Sequence, residues 1–169
     1  MGPARLSEPP TWDDTGLKMT IHPKTRDLAR RLLQCEAMSA KHSELTETAT
    51  LRVYEKLRQG LGEFAGVAGF YSLASRALVM ARSEAPSLST TRVSADGSLL
   101  GLGEFERSID IDKNQAGSDQ VDERGVVLIA RLLGLLHIFL GEALTLSLLR
   151  NAWPGAVLDD HNAGSGRNA

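Results

Sequence analysis

Val126-Val127-Leu128-Ile129-Ala130-Arg131-Leu132-Leu133-Gly134-Leu135-Leu136-His137-Ile138-Phe139-Leu140-Gly141-Glu142-Ala143-Leu144-Thr145-Leu146-Ser147-Leu148-Leu149 is almost wholly apolar. Arg131, His137, Glu142 and two small hydroxyl residues are its exceptions. Its length and composition predict one long helix, from about Asp119 to Ala152. A helix apolar all round is either the centre of a bundle or a membrane span. Leu132 to Leu149 is long enough to cross hydrocarbon. Charged groups at mid-membrane are expensive, however, and Glu142, His137 and the flanking Arg131 weigh against a span. The expectation is a bundle core, with no membrane.

The rest of the chain supplies partners for that core. Leu28, Leu32 and Leu33 recur at helical spacing in a first helix from about Thr25 to Ala37, after Pro23, with Arg26, Arg30 and Arg31 turned outward. A second helix is expected from near Ser43, with Glu44 and Glu47 in its first turn and Leu51, Tyr54, Leu57 and Leu61 on one face. Gly60, Gly62, Gly66 and Gly69 interrupt it, and the helical pattern resumes from Glu63 to Arg82. After Pro86 the pattern changes. Asp96-Gly97 lies between two short apolar-alternating runs, which predicts a β-hairpin over about 90–103. A further short strand is expected at Ser108–Asp112. The fold class is therefore mainly α: a bundle of about four helices with a small β-hairpin inserted before a long central C-terminal helix. Residues 1–22 read as a flexible arm, 23–154 as a single helical domain, and 155–169 as a flexible tail.

Gly62, Gly66, Gly69, Leu73, Arg76 and Met80 fall on one helical stripe, and Gly134, Gly141 and Thr145 on another. Glycine in a helix costs about 1 kcal/mol against Ala, so a close helix crossing at these stripes is the expected compensation. Two charges in these apolar faces, Arg76 and Glu142, are expected to form a buried or half-buried pair.

The chain has 169 residues, a net charge of −2, 42% hydrophobic residues and 5% aromatic ones. The charge argues against a protein that grips phosphate backbones, so no nucleic-acid partner is expected. One cysteine, Cys35, excludes a disulfide framework within one chain. The Gly60–Gly66 run lacks the preceding buried strand that a phosphate-binding loop needs. Asp110-Ile111-Asp112-Lys113-Asn114 begins like a calcium loop, but Gln115 and Val121 stand where Gly and the bidentate Glu belong. His137 and Gly141 are spaced as in histidine phosphotransfer modules, with Leu140 in the place of their Lys; a core histidine is the expectation. The four histidines lack metal-ligand spacing, so no metal and no cofactor are expected.

These observations point away from an enzyme. The expected function is a cytoplasmic helical interaction or regulatory module, in tone like small bacterial proteins, that acts through protein–protein contacts as a homodimer. The alternative is a small-ligand sensor or phosphorelay-like domain with a polar site in the bundle core at Arg76, His137 and Glu142. Candidate partner-binding residues are Trp12 in the N-terminal arm, since Trp is a favoured anchor, and the basic side chains Arg26, Arg30 and Arg31.

Overall fold

Pro23 starts the first helix, where a missing backbone N–H costs nothing. The computed structural model describes residues 22–40, 48–102 and 122–156. In it α1 spans Pro23–Ala40 and buries Thr25, Ala29, Leu32, Leu33 and Glu36, the spacing of one helix face. α2 spans Ala49–Glu84. Thr48 has extended backbone, and its side chain accepts a hydrogen bond from the Leu51 N–H at 3.3 Å. This cap satisfies a donor that the first turn otherwise orphans. It sets the helix start at Ala49 rather than near Ser43; Glu44 and Glu47 lie outside the described residues.

Gly66 lies at φ 69°, ψ 172° inside α2, a backbone region essentially closed to residues with a side chain. α2 is thus two arms, 49–65 and 67–84, joined at an elbow. The first arm buries Val53, Tyr54, Leu57 and Leu61; the second buries Phe70, Ala74, Ala77, Leu78 and Ala81.

A short 3-10 turn, Pro86–Thr90, leads to β1, Arg92–Val93, and β2, Leu99–Leu100. The strands are antiparallel, with Arg92 opposite Leu100 and Val93 opposite Leu99. At the tip the Gly97 N–H donates to Ser94 O at 2.9 Å, and the Ser94 N–H donates to Ser98 O at 2.9 Å. Gly97 has φ +82°. This is a three-residue loop, a type I turn followed by a left-handed residue, and it explains why Gly follows Asp96. The strand expected at 108–112 and the calcium-like loop lie outside the described residues.

Asp122 caps α3, Glu123–Leu140, accepting from the Arg124 N–H at 3.1 Å. Every residue from Gly125 to Leu133 is buried, as an all-round apolar helix requires. The single long helix expected here is corrected: Gly141, at φ 81°, ψ 165°, ends α3 and starts α4, Glu142–Ala152. Among the described residues the molecule is mainly helical, with four helices and the two-stranded hairpin between α2 and α3. α3 packs against both α1 and α2, where each fully buried Leu or Ile contributes about 1.5–3 kcal/mol.

Three contacts fix the register. A methyl group at Gly125 would collide with the Thr50 side chain, so the N-terminal ends of α2 and α3 touch there. One at Gly60 would lie 3.8 Å from Leu148 Cδ2. Lys56 Nζ lies 5.4 Å from the Trp153 ring centre. α3 therefore runs parallel to the first arm of α2, and α4 runs antiparallel to it. Continued at about 1.5 Å per residue, both alignments bring Gly141 level with Gly66. The two elbows lie at the same end of the bundle.

Candidate functional site

Each elbow turns a convex corner outward. Residues 63–68 are all exposed, as are 138, 139 and 141–144. On the first elbow Phe64 is 59% exposed and Val67 55%; on the second Ile138 is 57% exposed and Phe139 63%. Leu144 stands beside them, and Tyr71 and Val79 continue the exposed apolar surface along the second arm of α2. Large apolar side chains scattered singly over a surface are ordinary, but several gathered at one end mark an interaction site. α2 is the one helix among the described residues that is long and apolar enough to cross a membrane by length and composition, and only 33% of that window is buried. The sequence pointed to the C-terminal helix for a membrane span; that segment is instead divided at Gly141, and α3 is buried from Gly125 to Leu133.

The hairpin tip is seated where α2 bends. Tyr54 Oη donates to Gly97 O at 2.6 Å, and the Tyr54 and Phe70 rings meet edge-on with centres 5.4 Å apart. Burial pushes the Tyr54 phenol well above its ordinary range, with the Glu55 charge adding to the shift. Arg58 Nη1 donates to Asp96 O at 3.3 Å, and its Nε to Glu55 Oε2 at 2.7 Å. Asp96 Oδ1 accepts from Ser94 Oγ, from Ser98 Oγ at 2.8 Å and from the Ser98 N–H at 3.1 Å. These bonds hold the Asp96 carboxyl down at about 2. An open cleft of about 290 Å³ lies between this tip and the elbow, with Arg58, Glu63, Val67 and Phe70 on its wall. The guanidinium and the Asp96 carboxylate in it are already satisfied within the chain.

The residues expected to form a polar core site do not converge in the core. Arg76 and Glu142 are exposed, and no ion pair joins them among the described residues. The expected buried or half-buried pair is therefore corrected. Arg76 lies on the outward side of α2, and Glu142 opens the first turn of α4. His137 is half-buried one turn before the same elbow, its Nδ1 donating to Leu133 O of its own helix at 2.9 Å, so it stands at the end of the bundle rather than in the core expected for it.

The glycine stripes are corrected as well. A methyl group at Gly62, Gly66, Gly134 or Gly141 would meet nothing within 4 Å. The close helix approach is at Gly125 instead. Gly66 and Gly141 serve the backbone by supplying the left-handed φ of the elbows.

Arg26 and Arg30 are not a free basic face. Arg26 pairs with Glu84 at 3.5 Å and Glu123 at 3.7 Å, and Arg30 pairs with Glu123 at 3.3 Å. They tie α1 to α2 and α3, while Arg31 is exposed on α1. Trp12, His42 and His161 lie outside the described residues, and Cys35 is half-buried.

Two charged clusters went unread in the sequence. Glu36, 4% exposed, accepts from Trp153 Nε1 at 2.6 Å and pairs with Lys56 and Arg52. Arg131, buried in α3, pairs with Glu84. The available signal was helical phase: Glu36 follows Ala29, Leu32 and Leu33 on the buried face of α1. Among the described residues no group of three His, Cys, Asp or Glu side chains is placed to hold a metal ion. Comparison of the chain with protein-family models, curated proteins and solved structures finds no match.

Proposed function

We propose that the chain is a helical interaction module that acts through protein–protein contacts, as a homodimer, with its elbow end as the contact surface. The observation that carries this reading is the gathering of Phe64, Val67, Ile138 and Phe139, each more than half exposed, around two glycine elbows at one end. The hydrophobic effect penalises leaving such side chains in water, by up to about 1.5–3 kcal/mol for each full side chain. Covering them in a complex recovers that free energy. The bundle core is closed without them: α3 is buried from Gly125 to Leu133, and the two internal charged clusters are paired.

Size-exclusion chromatography with light scattering tests the proposal on the full chain. The expected mass is twice 18.2 kDa, falling to one chain mass in a Phe64→Glu/Phe139→Glu double variant whose helical circular dichroism is unchanged. A wild-type chain that stays at one chain mass at every concentration overturns it.

A further inference from the structure

Gly66 is the one break in α2, and no loop separates the helical arms on either side of it. The second arm folds back on the first: the Phe70 ring, about one turn past the elbow, meets the Tyr54 ring, about three turns before it. A methyl group at Gly66 would meet no atom within 4 Å, and the flanking Phe64 and Val67 are more than half exposed. The bend therefore rests on the backbone of a single residue. The parts on its two sides complete each other. Before it lie α1 and the first arm; after it lie the second arm, the hairpin, α3 and α4. Glu36 meets Trp153, Thr50 meets Gly125 and Arg30 meets Glu123 across that division.

We infer that the Gly66 elbow is a hinge through which two copies of the chain exchange parts. In the exchanged pair α2 runs straight through Gly66, and the part before the hinge packs on the part after the hinge of the other copy. The occupant is a second copy because the surfaces that the parted halves lose are this chain's own. Each contact across the division is remade between chains, so the two states differ at the hinge, in the surface brought together there and in the entropy of association. A hinge with no slack, set in a conformation that most residues avoid, invites such exchange. Straightening returns Gly66 to helical backbone. Two continuous α2 helices, each about 54 Å long, then pass each other at the hinge, beside the Phe64 and Val67 side chains that the closed chain leaves in water. Glycine sets the balance. A φ of 69° with ψ 172° is open to it and essentially closed to residues with a side chain. The native chain therefore closes on itself, and a side chain at this position shifts the balance to the straight form. The exchange is separate from the elbow-end contact proposed above, which joins closed chains.

Cross-linking of the full chain tests the exchange. Arg30→Cys and Glu123→Cys are placed together in a Cys35→Ser chain, since the native side chains meet at 3.3 Å on the surface. They lie at the opposite end from the elbows, so an elbow-end contact does not bring them together between chains. The chain is refolded from urea over a range of protein concentrations, treated with a short bis-maleimide and run on a denaturing gel. A closed chain gives a cross-link within one chain, and an exchanged pair gives one that joins two. Interchain product is expected to grow with concentration in the chain that keeps Gly66. Adding Gly66→Ala is expected to lower the concentration at which half the product is interchain at least about tenfold, because the backbone cost it places on the closed form is relieved once in each chain. Gly125→Ala, which crowds Thr50 and leaves the hinge untouched, is expected to leave that concentration as it was. Pairs cross-linked only within chains overturn the exchange and leave the elbow-end homodimer standing. An equal rise with Gly125→Ala overturns the hinge in favour of general destabilisation. Absence of interchain product at every concentration in the chain that keeps Gly66 overturns the exchange even if Gly66→Ala fails to fold.

Discussion

Trp153 Nε1 donates a 2.6 Å hydrogen bond to Glu36 Oε1 across 117 residues of chain, and both residues are buried. Arg52 and Lys56 of α2 meet the same carboxylate, and Lys56 also lies over the Trp153 ring. One side chain of α1 thereby holds the middle of α2 and the end of α4. Removing it leaves a buried indole N–H without its acceptor and takes the shared carboxylate from Arg52 and Lys56. Glu36→Ala is expected to cost about 2–4 kcal/mol, and Trp153→Phe, which keeps the ring and loses the donor, about 1–2 kcal/mol. Urea titrations of the two variants, followed by circular dichroism, measure both.

Two glycines of α3 are predicted to respond in opposite directions. At Gly125 an added methyl group collides with Thr50, so Gly125→Ala is expected to destabilise by about 1–3 kcal/mol through overpacking. Thr50→Ala in the same chain relieves it. At Gly134 a methyl group meets nothing within 4 Å, and Gly134→Ala is expected to stabilise by up to about 1 kcal/mol through helix propensity. Thermal melts of the three variants check the signs.

The elbows depend on backbone that only glycine adopts easily. Gly66→Ala and Gly141→Ala are each expected to cost about 1–3 kcal/mol, although neither new methyl group meets another atom. The loss is backbone strain, because φ 69°, ψ 172° and φ 81°, ψ 165° lie in a region essentially confined to glycine. Melting temperatures of the two variants and the wild type measure it.

The hairpin tip sets the pH dependence at both extremes. The Asp96 carboxyl is held at about 2 against an ordinary 3.8. Its contribution is present above the unfolded value and is lost as pH falls from there toward 2. Tyr54 shifts the other way: its buried neutral phenol holds its proton more tightly folded than unfolded. That contribution is present below about 10, the ordinary tyrosine value, and declines as pH rises beyond it. Tyr54→Phe is expected to lose about 1 kcal/mol near neutral pH, from the missing hydrogen bond to Gly97 O, and to flatten the alkaline side of the profile. Asp96→Asn is expected to flatten the acid side. Melting temperature against pH for the wild type and both variants reads these slopes.

What could be read from the sequence followed local chemistry. Asp96-Gly97 announced the hairpin because a left-handed turn residue is a local requirement. The apolar run from Val126 announced the core helix because periodicity and hydrophobicity are local too. What failed depended on which surfaces meet. Glycine stripes suggested a crossing at Gly62 and Gly134, but composition does not distinguish a glycine that admits a neighbour from one that permits a bend. Arg131 and Glu84 are 47 residues apart, and nothing near either names the other. The position of the exposed elbow surface followed only from the two bends, which no local sequence signal gave.

A native mass spectrum of the purified full-length chain tests the homodimer account most directly. The account predicts twice 18.2 kDa with no added mass, dissociating to single chains in the Phe64→Glu/Phe139→Glu variant. A single-chain mass throughout, or single chains each carrying a reproducible extra mass, would contradict it.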